Sequence, residues 1–185
     1  MKRRTFFKVT TTLAATLVAG AAFAQDNIIV GAVAPKTGPL AGGAAVTHWP
    51  NIALWVEEVN ARGGLNVGGE QRMLEVIEYD DQTNPAETIK AVQRLAQQDN
   101  ADIILAPYST GLNIAAAPIF DRLGFPQITS SAATDQIGDL SGQFNDMFFL
   151  LGRSTDLAED AVEALTDLRE AGEIGKRVAM FNVAD

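Results

Sequence analysis

The chain has 185 residues, with 14 basic and 23 acidic side chains, a formal net charge of −9, no cysteine and one histidine, His48. That excludes disulfides, thiolate chemistry and a histidine-rich zinc site, and the acidic balance argues against nucleic acid or an anionic bilayer as partner. Stability must come from a buried core, and the length suffices for one ordinary domain with little left for a complete second one.

The N-terminus reads as an export signal. Lys2, Arg3, Arg4 and Lys8 form a basic head, a mildly apolar stretch covers 9–20, and Ala22-Phe23-Ala24 is a small-x-small cleavage site. The run Arg3-Arg4-Thr5-Phe6-Phe7-Lys8 fits a twin-arginine signal, with an ordinary secretory leader as the alternative. The core is too short and threonine-rich for a membrane anchor, which needs about 20 strongly apolar residues. Cleavage after Ala24 removes four basic residues and no acidic one, leaving a mature chain of net charge −13.

Strands and helices then alternate. Residues 28–33 form a continuous apolar run, the pattern of a strand covered on both faces. A glycine-rich bend over 38–43 follows. Ile52, Trp55, Val56 and Val59 predict one apolar helix stripe, with Pro50 in the first turn and Gly63-Gly64 at the end. Residues 74–79 read as a second strand. Asn84-Pro85-Ala86-Glu87 carries three agreeing helix-start signals, and Ile89, Val92, Leu95 and Ala96 give that helix its buried face. Residues 103–106 are a third strand, 112–123 a helix ending at Gly124, and 126–129 a fourth strand. Residues 136–146 look like irregular surface, and 148–151 a fifth strand. A helix over 155–171 has its stripe at Leu157, Ala161, Ala164, Leu165 and Leu168, and 178–183 begins another strand. This alternation predicts an α/β fold, a doubly wound parallel sheet with helices on both faces.

In such sheets ligands bind beyond the carboxyl ends of the strands. Four loops occupy that rim: 35–43, 80–84, 107–113 and 129–135. Two of them are dense in hydroxyls and small residues, Pro107-Tyr108-Ser109-Thr110-Gly111 and Thr129-Ser130-Ser131-Ala132-Ala133-Thr134. Small side chains admit a ligand close to the backbone, and Ser and Thr both donate and accept. The first loop feeds a helix, whose free N–H groups and positive dipole end would seat a carboxylate. The second supplies hydroxyls and carbonyls for an ammonium. Plain N-capping and turn-making is the alternative for the same residues.

Other candidates are weaker. The glycine cluster 38–43 lacks both the Gly-Lys-Ser/Thr ending and the G-x-G-x-x-G spacing of nucleotide loops. Asp80-Asp81 are neighbours in an extended segment, so their side chains diverge, which favours a turn and capping role over a shared proton or metal. Trp49 and Trp55 read as core or rim packing and His48 as a helix-start residue. No nucleophile elbow G-x-S-x-G is present, and the single histidine falls early in the chain, against an exported α/β hydrolase.

The ordered set Ile29-Val30-Gly31, Thr37-Gly38-Pro39-Leu40-Ala41, Val59-Asn60-Ala61-Arg62-Gly63-Gly64-Leu65, Glu78-Tyr79-Asp80-Asp81 and Pro107-Tyr108-Ser109-Thr110-Gly111 follows the leader. It resembles the Leu/Ile/Val-binding-protein type of periplasmic solute receptor, which feeds ABC importers, and the likeness runs through 27–185. The resemblance implies two hinged lobes that close on an amino acid or similar small polar solute. It implies Ser109, Thr110 and Gly111 at the solute's carboxylate end and Ala132, Ala133 and Thr134 near its ammonium end. It further implies a periplasmic protein with an inner-membrane permease as partner, no catalytic residue, no cofactor and no metal. On this reading 1–24 is the export signal, 25–150 the N-terminal lobe, and 151–185 the crossover and the start of a truncated second lobe. A sensory domain of the same fold, signalling to a membrane receptor, is the rival.

Overall fold

The computed structural model describes residues 27–179, so the export signal and most of the strand expected over 178–183 lie outside the described residues. In chain order the elements are β1 (Ile28–Ala34), α1 (Ala41–Thr47), α2 (Trp49–Ala61), β2 (Leu65–Val67), β3 (Glu70–Arg72), β4 (Leu74–Asp80) and α3 (Pro85–Gln97). There follow β5 (Ile103–Ile104), α4 (Thr110–Leu123), β6 (Gln127–Thr129), α5 (Ile137–Gln143), β7 (Met147–Phe149) and α6 (Ser154–Glu170).

The apolar run of β1 becomes the central strand. It pairs in parallel with β4 from Ile28↔Leu74 to Ala34↔Asp80, and with β5 at Val30↔Ile103 and Gly31↔Ile104. Its side chains alternate between two cores. Ile28 and Val30 pack with Leu74 and with Val59, Trp55 and Val56 of α2. On the other face Val33 packs with Val92 and Leu95 of α3 and with Ala116 and Phe120 of α4. Such a strand must be apolar throughout, because neither face meets water. β6 and β7 pair in parallel beyond it, with Ala117, Leu140, Phe144 and Met147 as a third core.

The parallel α/β architecture is as expected, with differences in detail. The sheet is divided into a three-stranded unit, β4-β1-β5, and the two-stranded β6-β7. The hairpin β2-β3, turning through Gly68 and Gly69 at positive φ, is an addition to the expected elements. Residues 136–146, expected to be irregular surface, contain α5; burial of its Leu140 with Ala117 of α4, Phe144 and Met147 offsets the poor helix propensity of Gly138, Ser141 and Gly142. Helix α1 starts inside the expected glycine bend, at Ala41. The last paired strand is 147–149 rather than 148–151, and Val178 and Ala179 lie in no strand. Helices α3 and α4 pack on one face of the sheet, whereas on the other α2 covers only the β4-β1 side. Ile103, Ile128, Phe148 and Leu150 are exposed there, and no residue of α6 is buried.

Gly31 fixes how closely α3 approaches the sheet. A Cβ at this position would lie 2.8 Å from Leu95 Cδ1 and 2.9 Å from Leu95 Cδ2. Gly31→Val is therefore expected to destabilise by about 1–3 kcal/mol through overpacking. Urea denaturation checks this; an unchanged midpoint would contradict close packing of Leu95 on β1.

Candidate functional site

The strands of the parallel sheet end on one rim, and two pairs of loops are stitched together there. In the first pair, Asp80 at the end of β4 reaches across to the loop after β1. Its carboxylate accepts from the amides of Lys36 (2.8 Å), Thr37 (3.2 Å) and Gln82 (2.9 Å) and from the Thr37 hydroxyl (2.7 Å). Partial burial pushes this carboxyl up, but the Thr37 hydroxyl and the three amides outweigh it and bring its pKa to about 2. Asp81 points the other way, as expected of its neighbour. It is fully buried, accepts from the Thr83 amide and the Thr88 hydroxyl, and is raised by burial. Gln82 and Thr83 sit at left-handed φ of 57° and 61°, and Thr83 Oγ1 accepts from the Leu40 amide at 3.1 Å. Both aspartates thus shape turns. Trp49 braces the same loop, donating Nε1–H to the Pro35 carbonyl at 3.1 Å with Lys36 over its ring.

The second pair contains the six candidate ligand residues, and the structure brings them together. Helix α4 begins two residues earlier than the periodicity indicates, which makes Ser109 its N-cap; the Ser109 Oγ accepts from the Leu112 amide at 3.4 Å. Ser109 holds φ 79° and ψ 157°, a region seldom occupied by a residue with a Cβ and a recurrent mark of functional turns. Its amide donates to Ser131 Oγ at 3.0 Å, and that hydroxyl donates to the Pro107 carbonyl at 3.3 Å. Thr110 Oγ1 both donates to the Ala133 carbonyl (3.3 Å) and accepts from the Ala133 amide (3.2 Å), closing a two-bond clamp between the loops.

The remaining groups divide by availability. Ala132 is fully buried beneath the clamp, and Thr134 is nearly so. Thr134 Oγ1 accepts from the Gln136 amide, and its own amide donates to the Gly152 carbonyl. The amides of Thr110 and Gly111 have no protein acceptor among the described residues, as expected for the first two positions of a helix. They are free donors at the positive end of the 14-residue α4. Ser131, from the hydroxyl-rich loop noted above, and Asn113 and Gln127 are further participants outside the six candidates. The only hint of the latter two was a polar side chain, Asn113, among the apolar residues of the helix.

Tyr108 joins this loop to α1 and α2. Its hydroxyl lies 2.6 Å from where a Cβ on Gly43 would stand and accepts from Thr47 Oγ1 at 3.3 Å. Its ring meets the edge of His48 at 5.7 Å. His48 occupies the N-cap position of α2, as expected of a helix-start residue. It is buried, which lowers its pKa, and its Nε2 has no hydrogen-bond partner among the described residues. Below the rim an open groove of about 490 Å³ runs along the bare sheet face, lined by His48, Trp55, Leu105, Ile128 and Leu150 among others. None of the six candidate residues lines it. No group of three or more His, Asp or Glu is placed to hold a metal among the described residues, and no helix there is long and apolar enough to cross a membrane.

The sequence model of periplasmic binding proteins matches residues 27–185. The chain belongs to that family. It is 30% identical over 176 residues to a Leu/Ile/Val-binding protein of Rhizobium johnstonii, covering 92% of this chain and 44% of that protein. It is 27% identical over 188 residues to an amino acid binding protein of Pseudomonas aeruginosa, covering 100% of this chain and 47% of that one. Among solved structures, the branched-chain amino acid transporter substrate binding protein of Streptococcus pneumoniae, in complex with isoleucine, is similar with a TM-score of 0.58 and 26% identity. That match covers 69% of this chain and 34% of the other. This member of the family therefore spans about half the length of the curated relatives it matches.

The Asp80 network makes a pH-dependent contribution. The folded pKa, about 2, lies below the ordinary aspartate value of roughly 4, so the stabilisation is in place above pH 4 and is lost as pH falls towards 2. Asp80→Asn is expected to cost about 1 kcal/mol at pH 7, reduced by solvent exposure, and to flatten the fall in stability between pH 4 and 2. Urea midpoints measured across that range check it. Parallel wild-type and variant curves would contradict the assignment.

Proposed function

We propose that this chain carries the solute-binding rim of an exported receptor for an ABC importer, which captures an amino acid or a similar small polar carboxylate or amide without chemistry. The observation that carries the reading is the pair of free amides, Thr110 and Gly111, at the start of α4. Two N–H groups and a helix dipole end are the donors a carboxylate needs. Ser109, Thr110 and Gly111 form its seat, and Ala132, Ala133 and Thr134 wall the ammonium end. The Thr110–Ala133 clamp fixes the distance between the two. Leu/Ile/Val binding in one relative and bound isoleucine in a solved neighbour support a solute of this class.

Residues 25–150 are read as the first lobe, and 151–185 as the crossover and the start of a second. A second lobe closing over the seat would exclude water and so strengthen the charged contacts, since charges interact more strongly as the local dielectric falls. The closed form is what a permease in the inner membrane would recognise. The leader over 1–24 places the mature protein in the periplasm on this reading.

Titration calorimetry of the intact protein against leucine, isoleucine, valine and simple aromatic carboxylates tests the proposal. At least one is expected to bind, and Thr110→Val, which removes both bonds of the clamp at constant shape, to weaken it by about tenfold or more. A flat panel for the wild-type protein would overturn the reading.

A further inference from the structure

Beneath the Ser109–Gly111 turn lies a buried amide pair outside the six candidate residues. Asn113 is fully buried in the second turn of α4, and Gln127 is 1% exposed at the start of β6. Asn113 Nδ2 donates to the carbonyls of Pro107 (2.6 Å) and Ser109 (2.7 Å), using both of its hydrogens on the backbone that flanks the strained residue. Gln127 Nε2 donates in turn to the Asn113 carbonyl (2.8 Å) and to Asn113 Oδ1 (3.1 Å). The Asn113 side chain can therefore face only one way, because a flipped amide would set its oxygen against two carbonyls and its NH2 against another NH2. Gln127 Oε1 has no hydrogen-bond partner among the described residues.

We infer that Asn113 and Gln127 are positioning residues for the solute seat. Gln127 orients the Asn113 amide, and that amide draws the Pro107 and Ser109 carbonyls inward. With both carbonyls held, Ser109 keeps its φ of 79°, and the following two N–H groups are left as free donors. Ser131 pulls on the same stretch from the other loop, through the Ser109 amide and the Pro107 carbonyl. The unusual backbone is thus held by four side-chain bonds to Pro107 and Ser109, two from Asn113 and two through Ser131. The consequence for binding rests on the function proposed above, whereas the consequence for backbone geometry does not.

The test uses ligand-free crystal structures of Asn113→Ala and Gln127→Met in the full chain, together with calorimetry against L-leucine. Gln127→Met keeps the shape and removes the unpartnered oxygen, so it is expected to fold even if Asn113→Ala does not. In Gln127→Met the Asn113 Oδ1 loses its donor, so the amide is expected to shift off the Pro107 and Ser109 carbonyls and Ser109 to leave positive φ. Leucine affinity is expected to fall by about tenfold, with the melting temperature within a few degrees of wild type. A merely structural role would lower the melting temperature and leave Ser109 and leucine affinity unchanged. Retention of the Ser109 conformation in the folded variants overturns the inference, as does a displaced turn that binds leucine as wild type does. Failure of the wild-type protein to bind leucine counts against a leucine-like solute, and the Ser109 geometry still decides the role of the pair.

Discussion

The start of helix α4 is the point on which the rest of the rim depends. A parallel sheet delivers all its strand ends to one edge, but that alone creates a row of loops, not a site. The Thr110–Ala133 clamp and the Ser109–Ser131 bond turn two of those loops into one rigid unit. The clamp also commits the Thr110 hydroxyl and leaves the Thr110 and Gly111 amides as available donors. On the proposed function, fixed amides suit binding and release, because no side chain has to be ordered when the solute arrives.

The two stitched halves of the rim use different chemistry. The Asp80 side relies on one carboxylate gathering four donors, so it is sensitive to acid. On the α4 side the bonds are made by neutral hydroxyls and amides, and these do not titrate. A pH change that loosens the first half leaves the bonds of the second in place. His48, its pKa lowered by burial and its ring wedged against Tyr108 and Trp49, stands where the two halves meet.

Much of this was legible in the sequence where the signal is local. The continuous apolar run of β1 announces a doubly covered strand, and Asn84 caps α3 as its spacing indicates, accepting from the Ala86 amide at 2.8 Å. Glu87 does not complete the capping box and pairs with Lys90 instead. The two hydroxyl-rich loops stand out because composition and sheet topology coincide at the rim, whereas the choice of six residues within them rests on the family resemblance. What stayed hidden depends on distance along the chain. Nothing in Tyr-Ser-Thr-Gly announces a positive φ at Ser109; the cause is Asn113 and Gln127, which meet only after β6 has docked beside α4. The closeness of Tyr108 to Gly43 spans 65 positions and has no sequence signature. Helix α5 has little signature in the sequence because its glycines and serine are poor helix formers and Leu140 is its one buried residue.

The most direct measurement is a crystal structure of the intact protein with its solute bound. The solute's carboxylate is expected within hydrogen-bond distance of the Thr110 and Gly111 amides, with Ser109 unchanged from its ligand-free conformation. A solute held elsewhere, or one that turns its carboxylate away from the start of α4, would contradict the central claim.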